Sequence, residues 1–129
     1  MRLRFDQREL ELIRGAERLR GATLARAPRP DLLRSALSLA RAGHKLATAA
    51  PGASLSLEEG ELGLLLEAVR QASQDVQQAA RTQDGQAAER RDAVLAAFPE
   101  LAEKGLWRSF GLSRELDLVA ARLETALKP

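Results

Sequence analysis

The stretch SLEEGELGLLLEAVRQASQDVQQAAR, residues 56–81, decides the fold. Its apolar residues keep a spacing of three and four along the whole stretch, which is the period of an amphipathic α-helix. They are Leu62, Leu65, Leu66, Val69, Ala72, Val76, Ala79 and Ala80. Ser56 and Glu59 have the spacing of a capping box, which marks a helix start. We therefore predict a long helix from just after Ser56 to about Arg81, and we place it at the centre of the molecule.

A short phrase near the start of this helix occurs twice more in the chain. It reads ELGLL at residues 61–65, ELELI at 9–13 and ELDLV at 115–119. Residues 3–18 also match residues 55–70 at six of sixteen positions. The pattern suggests one domain of residues 1–129, built from a duplicated helical hairpin, about 3–50 and 55–105, and a terminal helix at 113–128. The alternative is that helices rich in Leu and Ala resemble each other by composition alone.

Composition and helix signals elsewhere favour an all-α class. Ala and Leu supply 24 residues each, whereas Val and Ile together supply five, so good helix formers dominate. Asp6 and Glu9 form a second capping-box pattern, and further helices are predicted at about 31–50, 87–98 and 113–127, with one or two helical turns after Pro99. We predict a bundle of about five helices, two hairpins and a terminal helix. The alternating segments 2–5 and 54–57 are candidates for a short β-ribbon.

The second helix contains two patterns that bear on function. We predict that one side faces the core, so that its single histidine, His44, is a partly buried core residue; a ligand or general base is the alternative. That side comprises Leu33, Ala36, Leu37, Ala40, Gly43, His44 and Ala47. The opposite side carries a basic row, Arg34, Arg41 and Lys45, at helical spacing.

Several function classes have no support in the sequence. The chain has no cysteine, one histidine and no Glu-x-x-His pair, glycine-rich phosphate loop or nucleophile elbow. We therefore expect no catalytic residues, no metal site, no cofactor and no enzymatic activity.

The chain also shows no signal-peptide core and no apolar run approaching the ~20 residues of a membrane span, so we expect a cytoplasmic protein that does not bind membranes. Arg outnumbers Lys 17 to 3, which we interpret as the coding bias of a GC-rich bacterium.

Charge divides the chain into two parts of opposite sign. Residues 1–50 carry 11 basic and 5 acidic side chains, a net +6, and residues 51–129 carry 9 and 13, a net −4. The two parts attract each other within a chain or between chains. A candidate basic face comprises Arg14, Arg18, Arg34, Arg41 and Lys45.

The terminal helix is half of a hairpin, so its apolar face needs cover from the same chain or from a second copy. We predict a partner surface there, which comprises Trp107, Arg108, Phe110, Leu116, Val119 and Leu123. The unpaired terminal helix and the opposite charges of the two parts of the chain favour a non-enzymatic protein-interaction or scaffolding module. We expect it to associate with itself as a homo-oligomer, or with an unknown protein. The alternative is a small regulatory protein that binds nucleic acid through its Arg-rich N-terminal helices, although Glu9, Glu11 and Glu17 interrupt their basic residues.

Overall fold

The structure, a computed structural model, describes residues 2–25, 30–81, 88–105 and 108–128. Within these ranges the chain forms two short strands and six helices: β1 (Arg2–Arg4), α1 (Gln7–Ala25), α2 (Pro30–Thr48), β2 (Ser54–Ser56), α3 (Glu59–Arg81), α4 (Ala88–Ala97), α5 (Glu100–Lys104) and α6 (Ser109–Leu127). The predicted all-α bundle is confirmed. The sixth helix is α5, the short helical segment predicted after Pro99.

The two alternating segments pair as an antiparallel ribbon. Leu3 lies opposite Leu55, Arg2 opposite Ser56 and Arg4 opposite Ser54. Each strand ends one residue earlier than its alternating pattern. Phe5 and Leu57, the residues that follow the strands, are buried in the core, with 3% and 1% of their surface exposed. The ribbon therefore joins the segments that precede α1 and α3, and the two helices follow from its opposite ends.

Both of these helices have capping hydrogen bonds at their N-terminal ends. At α1 the predicted capping box is present: the Glu9 N–H donates to Asp6 Oδ1 at 2.7 Å, and the Asp6 N–H donates to Glu9 Oε1 at 3.0 Å. At α3 the predicted pair, Ser56 and Glu59, is wrong, because Ser56 belongs to β2. The Glu58 N–H instead donates to Glu61 Oε1 at 2.9 Å.

Helix α3 lies at the centre, as predicted, and contacts α1, α2, α4 and α6. Seven of the eight residues in its predicted apolar stripe are buried, and the side chain of the eighth, Ala80, lies outside the described part. Burial of such a stripe on several neighbours supplies most of a helix's stability in a protein. The contacts of α3 thus hold the remaining helices around it.

The terminal helix α6 packs along α3 of the same chain. Its apolar residues Leu112, Leu116, Val119, Ala120 and Leu123 are buried, and polar groups also pair across the two helices. The Ser73 and Ser113 hydroxyls hydrogen-bond at 2.7 Å, and Gln77 Nε2 donates to Ser113 Oγ at 2.6 Å. Of the two ways to cover this helix that the sequence allowed, the structure therefore shows cover within the chain.

Helix α2 presents a different side to the core from the one predicted. Among the side chains of α2 that the structure describes, Leu39, Ala42 and Leu46 are buried; Leu33, predicted on the inward side, lies outside them. Of the residues predicted to face inward, Leu37, Ala40, His44 and Ala47 are exposed, whereas Ala36 and Gly43 are half-buried. The prediction failed because α2 has apolar residues on two sides. The side that is buried carries Leu39 and Leu46, which bury more apolar surface than alanine, and the helix contacts α1 and α3.

Candidate functional site

The partner surface predicted on the terminal helix is largely unavailable. Leu116, Val119 and Leu123 are buried in the chain's own core, with 0%, 4% and 0% of their surface exposed, so their assignment to an exposed partner surface is corrected. Side chains at this depth cannot reach another molecule unless α6 detaches. Trp107, also assigned to that surface, lies outside the described residues. Phe110 is 54% exposed.

Arg108, the remaining member of that predicted surface, belongs to an ion-pair cluster inside the chain. Its guanidinium lies 3.3 Å from Glu115 and 3.8 Å from Glu100. Arg8 joins the same two carboxylates at 2.7 Å and 2.8 Å, which links the starts of α1, α5 and α6. Its hydrogen bond to Glu115 holds the pKa of that carboxyl below the usual value. The cluster gives Arg108 an intramolecular role.

The predicted basic face does not present five available charges. The Arg14 guanidinium donates to the carbonyl oxygens of Leu46 and Ala49, at 2.9 Å and 3.1 Å, and so caps the C-terminal end of α2. Lys45 Nζ donates to Glu61 Oε1 at 2.6 Å. Arg18, Arg34 and Arg41 are exposed.

The exposed side of α2 borders an open groove of about 700 Å³ between α2 and the start of α3. One wall, on α2, contains Leu37, Ser38, Ala40, Arg41, His44 and Lys45, and the other contains Glu58, Gly60, Glu61 and Leu64. Leu37 is 66% exposed at this groove. We call the feature the α2–α3 groove, and it is the candidate functional site.

An ion pair between Lys45 and Glu61 connects the two walls. Glu61 is 8% exposed, and its burial is the largest single influence on its pKa, in the upward direction. The hydrogen bonds from Lys45 and from the Glu58 N–H, together with the positive charges of Lys45 and Arg41, outweigh burial and lower the pKa below its ordinary value. Glu61 therefore remains ionised, and the carboxylate fixes the α2 wall to the α3 wall.

Replacing this carboxylate by an amide should weaken the fold in a pH-dependent way. We expect Glu61→Gln to lower the free energy of unfolding at pH 7 by about 1–2 kcal/mol, because Lys45 loses its charged acceptor. A carboxyl whose pKa is lowered by folding stabilises above its unfolded pKa, and this stabilisation is lost as pH falls through the folded value. The deficit should therefore shrink as pH falls below the ordinary value of 4.5 and disappear only below the lowered pKa of the folded state. Urea unfolding at several pH values measures it; Glu103→Gln, at an exposed site on α5, is the control.

The groove contains a serine and a histidine, but they are not placed as a nucleophile and its base. Ser38 and His44 lie six residues apart on one helix, which separates their backbones by about 9 Å along the axis. A nucleophile and its base need to be within hydrogen-bond reach, about 2.6–3.2 Å. Among the described residues, no three His, Asp or Glu side chains are grouped so that they could hold a metal ion.

Sequence reasoning did not identify this groove. Leu37, Ala40 and His44 of its α2 wall were predicted to face the core, Arg41 and Lys45 of the same wall were predicted on the opposite, basic side, and its α3 wall was interpreted only as a helix start. A usable signal was present, because α2 has apolar residues on two sides and only one of them is needed for packing. Gly60 and Gly63 are a second signal, since glycine weakens a helix interior by up to ~1 kcal/mol relative to alanine.

No helix in the described part of the chain has both the length and the apolar character needed to cross a membrane. Comparisons of the chain with models of protein families, with curated proteins and with solved structures find no match.

Proposed function

We propose that the chain is a non-enzymatic protein-interaction module of the bacterial cytoplasm that associates with itself through the α2–α3 groove. The observation that carries this proposal is Leu37, a large apolar side chain that is 66% exposed at an open groove. Burying such a side chain stabilises a contact by about 1.5–3 kcal/mol relative to leaving it in water. A second copy that covers it would gain this stabilisation twice.

The surface around Leu37 supports the proposal. Ala40 and Ala47 are also exposed on α2, about 15 Å of helix from Leu37 to Ala47, and their small side chains let another helix approach closely. A specific interface usually buries roughly 800 Å² on each partner, which a single leucine cannot supply. We therefore assign the whole exposed side of α2, with the α3 wall, to the interface.

The alternative function, nucleic-acid binding by the Arg-rich N-terminal helices, has less support. Arg14 and Lys45, two of its five basic residues, already form hydrogen bonds inside the chain. Binding to phosphates would show a steep dependence on salt. A labelled duplex titrated with the chain at several salt concentrations therefore distinguishes this alternative from a protein interaction.

A charge placed at Leu37 should disrupt self-association. We expect the wild-type chain to have a dimer's mass in light scattering coupled to size exclusion, and Leu37→Glu to shift it to the monomer mass at the same concentration. A carboxylate there would have to be desolvated in the interface, which costs free energy even if Arg41, four residues on along the same helix, pairs with it. Circular dichroism checks that the variant is folded.

The control is Leu118→Glu, because Leu118 on α6 is 68% exposed and thus matches Leu37. It should leave the dimer intact. A wild-type chain that stays monomeric at high concentration contradicts the proposed function. A dimer that Leu118→Glu disrupts and Leu37→Glu does not would move the interface to α6.

A further inference from the structure

The two walls of the α2–α3 groove carry opposite charges. On the α3 wall Glu61 is neutralised by Lys45, which leaves the exposed carboxylate of Glu58. On the α2 wall the exposed Arg41 lines the groove together with His44. The groove therefore has one basic edge and one acidic edge.

The α3 side of the groove is also unusually open. A Cβ atom added at Gly60 or Gly63 would meet no atom within 4 Å apart from its chain neighbours and the adjacent backbone of its own helix. Neither glycine has a positive φ, so an alanine would fit at both positions within the chain. The absence of a side chain at both positions leaves room for a residue from outside, such as a leucine, to contact the helix backbone.

A second copy of the chain fits both features at once. If two grooves face each other and the two-fold axis runs along them, the α2 wall of each copy lies over the α3 wall of the other. Basic edges then meet acidic edges, and the exposed Leu37 of each copy lies over the α3 wall of the other, the wall that contains Gly60. Such a dimer has closed two-fold symmetry and uses the same surface patch on both copies, as most homodimers do. An axis across the grooves would instead place the basic edge of each copy over the basic edge of the other.

We infer that two copies pair groove to groove about a two-fold axis along the groove, so that Arg41 of each copy faces Glu58 of the other. This inference rests on the proposed self-association and adds its geometry. Because the opposed charges come from different copies, exchanging them between copies tests the arrangement, and contacts within one copy cannot reproduce the result.

The experiment uses Arg41→Glu and Glu58→Lys, alone and mixed. Each variant alone places like charges together at two sites, so we expect its dimer to dissociate at a concentration about ten-fold higher than the wild-type dimer does. In the heterodimer the introduced glutamate would face the introduced lysine at one site, and the two unchanged residues, Arg41 and Glu58, would face each other at the second. The equimolar mixture should therefore recover the wild-type dimer fraction by light scattering, and native mass spectrometry should identify the heterodimer by its mass.

The control mixture is Arg114→Glu with Glu58→Lys, because Arg114 is an exposed cation on α6 outside the groove. We expect Arg114→Glu to form dimers alone and no heterodimer enrichment in this mixture. Arg41→Gln, which removes the charge without reversing it, should weaken the dimer less than Arg41→Glu does. It replaces Arg41→Glu in the dissociation measurement if the reversal variant does not fold.

Wild-type dimer fractions in Arg41→Gln and in Glu58→Lys overturn the inference. So does an Arg41→Glu and Glu58→Lys mixture that stays monomeric although both variants are folded. In either case a wild-type dimer that Leu37→Glu disrupts would leave the proposed function in place, whereas a monomeric wild-type chain contradicts both.

Discussion

Replacing Leu116 with Ala should lower the free energy of unfolding by about 2–5 kcal/mol, the range for deleting a buried leucine side chain from a core. Leu116 is fully buried in the core cluster, on a helix that packs along α3. Urea unfolding followed by far-ultraviolet circular dichroism measures the loss. The control is Leu118→Ala, two residues away on the same helix and 68% exposed, for which we expect a change below about 1 kcal/mol.

The concentration dependence of this loss separates the two ways of covering the terminal helix. If α6 is held by α3 of the same chain, the Leu116→Ala deficit should be the same at low and high protein concentration. If a second copy covered α6, the Leu116→Ala deficit itself would change with protein concentration. A deficit that appears only at high concentration, or an equal effect at Leu118, would restore the partner surface predicted from the sequence.

The parts of the fold that could be predicted are those with local signals. The stripe of α3, the Asp6 and Glu9 capping box of α1 and the short segment after Pro99 each depend on residues a few positions apart. The β-ribbon is a partial exception: its alternation is local, but its pairing joins Leu3 to Leu55 across 52 residues. It could be proposed because the same pattern occurs before both helices.

The parts that could not be predicted depend on contacts between distant residues. Alanine is nearly indifferent to which side of a helix is buried, so the two apolar sides of α2 were hard to rank. The burial of Leu39 and Leu46 depends on how α1 and α3 approach, and this placed His44 in solvent rather than in the core. The candidate groove was missed for the same reason.

The duplication stays a prediction, but the structure supplies two geometric arguments for it. Shifting by 52 residues maps β1 onto β2 and Glu9 onto Glu61, and both glutamates accept a backbone N–H at the start of their helices. The pairing of Leu3 with Leu55 is the register that a two-fold relation between the copies would produce. Glu115, in the third phrase, instead binds Arg8. The third copy therefore differs from the first two in the role of its glutamate.

Two glycines in α1 should respond to the same substitution with opposite signs. A Cβ at Gly15 would overlap the Phe98 ring and lie 2.9 Å from the Ala97 carbonyl oxygen. Because that oxygen belongs to the backbone it cannot rotate away, so α1 and the end of α4 would have to separate. We expect Gly15→Ala to lower the free energy of unfolding by about 1–3 kcal/mol, the usual effect of overpacking, despite the better helix propensity of alanine.

Gly21 is the matched control, since it lies in the same helix and a Cβ there would meet no atom within 4 Å. Only the propensity difference remains, so Gly21→Ala should raise the free energy of unfolding by about 0.5–1 kcal/mol. Thermal and urea unfolding of both variants give the two signs. Stabilisation by both substitutions would mean that α1 and α4 are farther apart than the structure shows, because propensity alone cannot distinguish two interior positions of one helix.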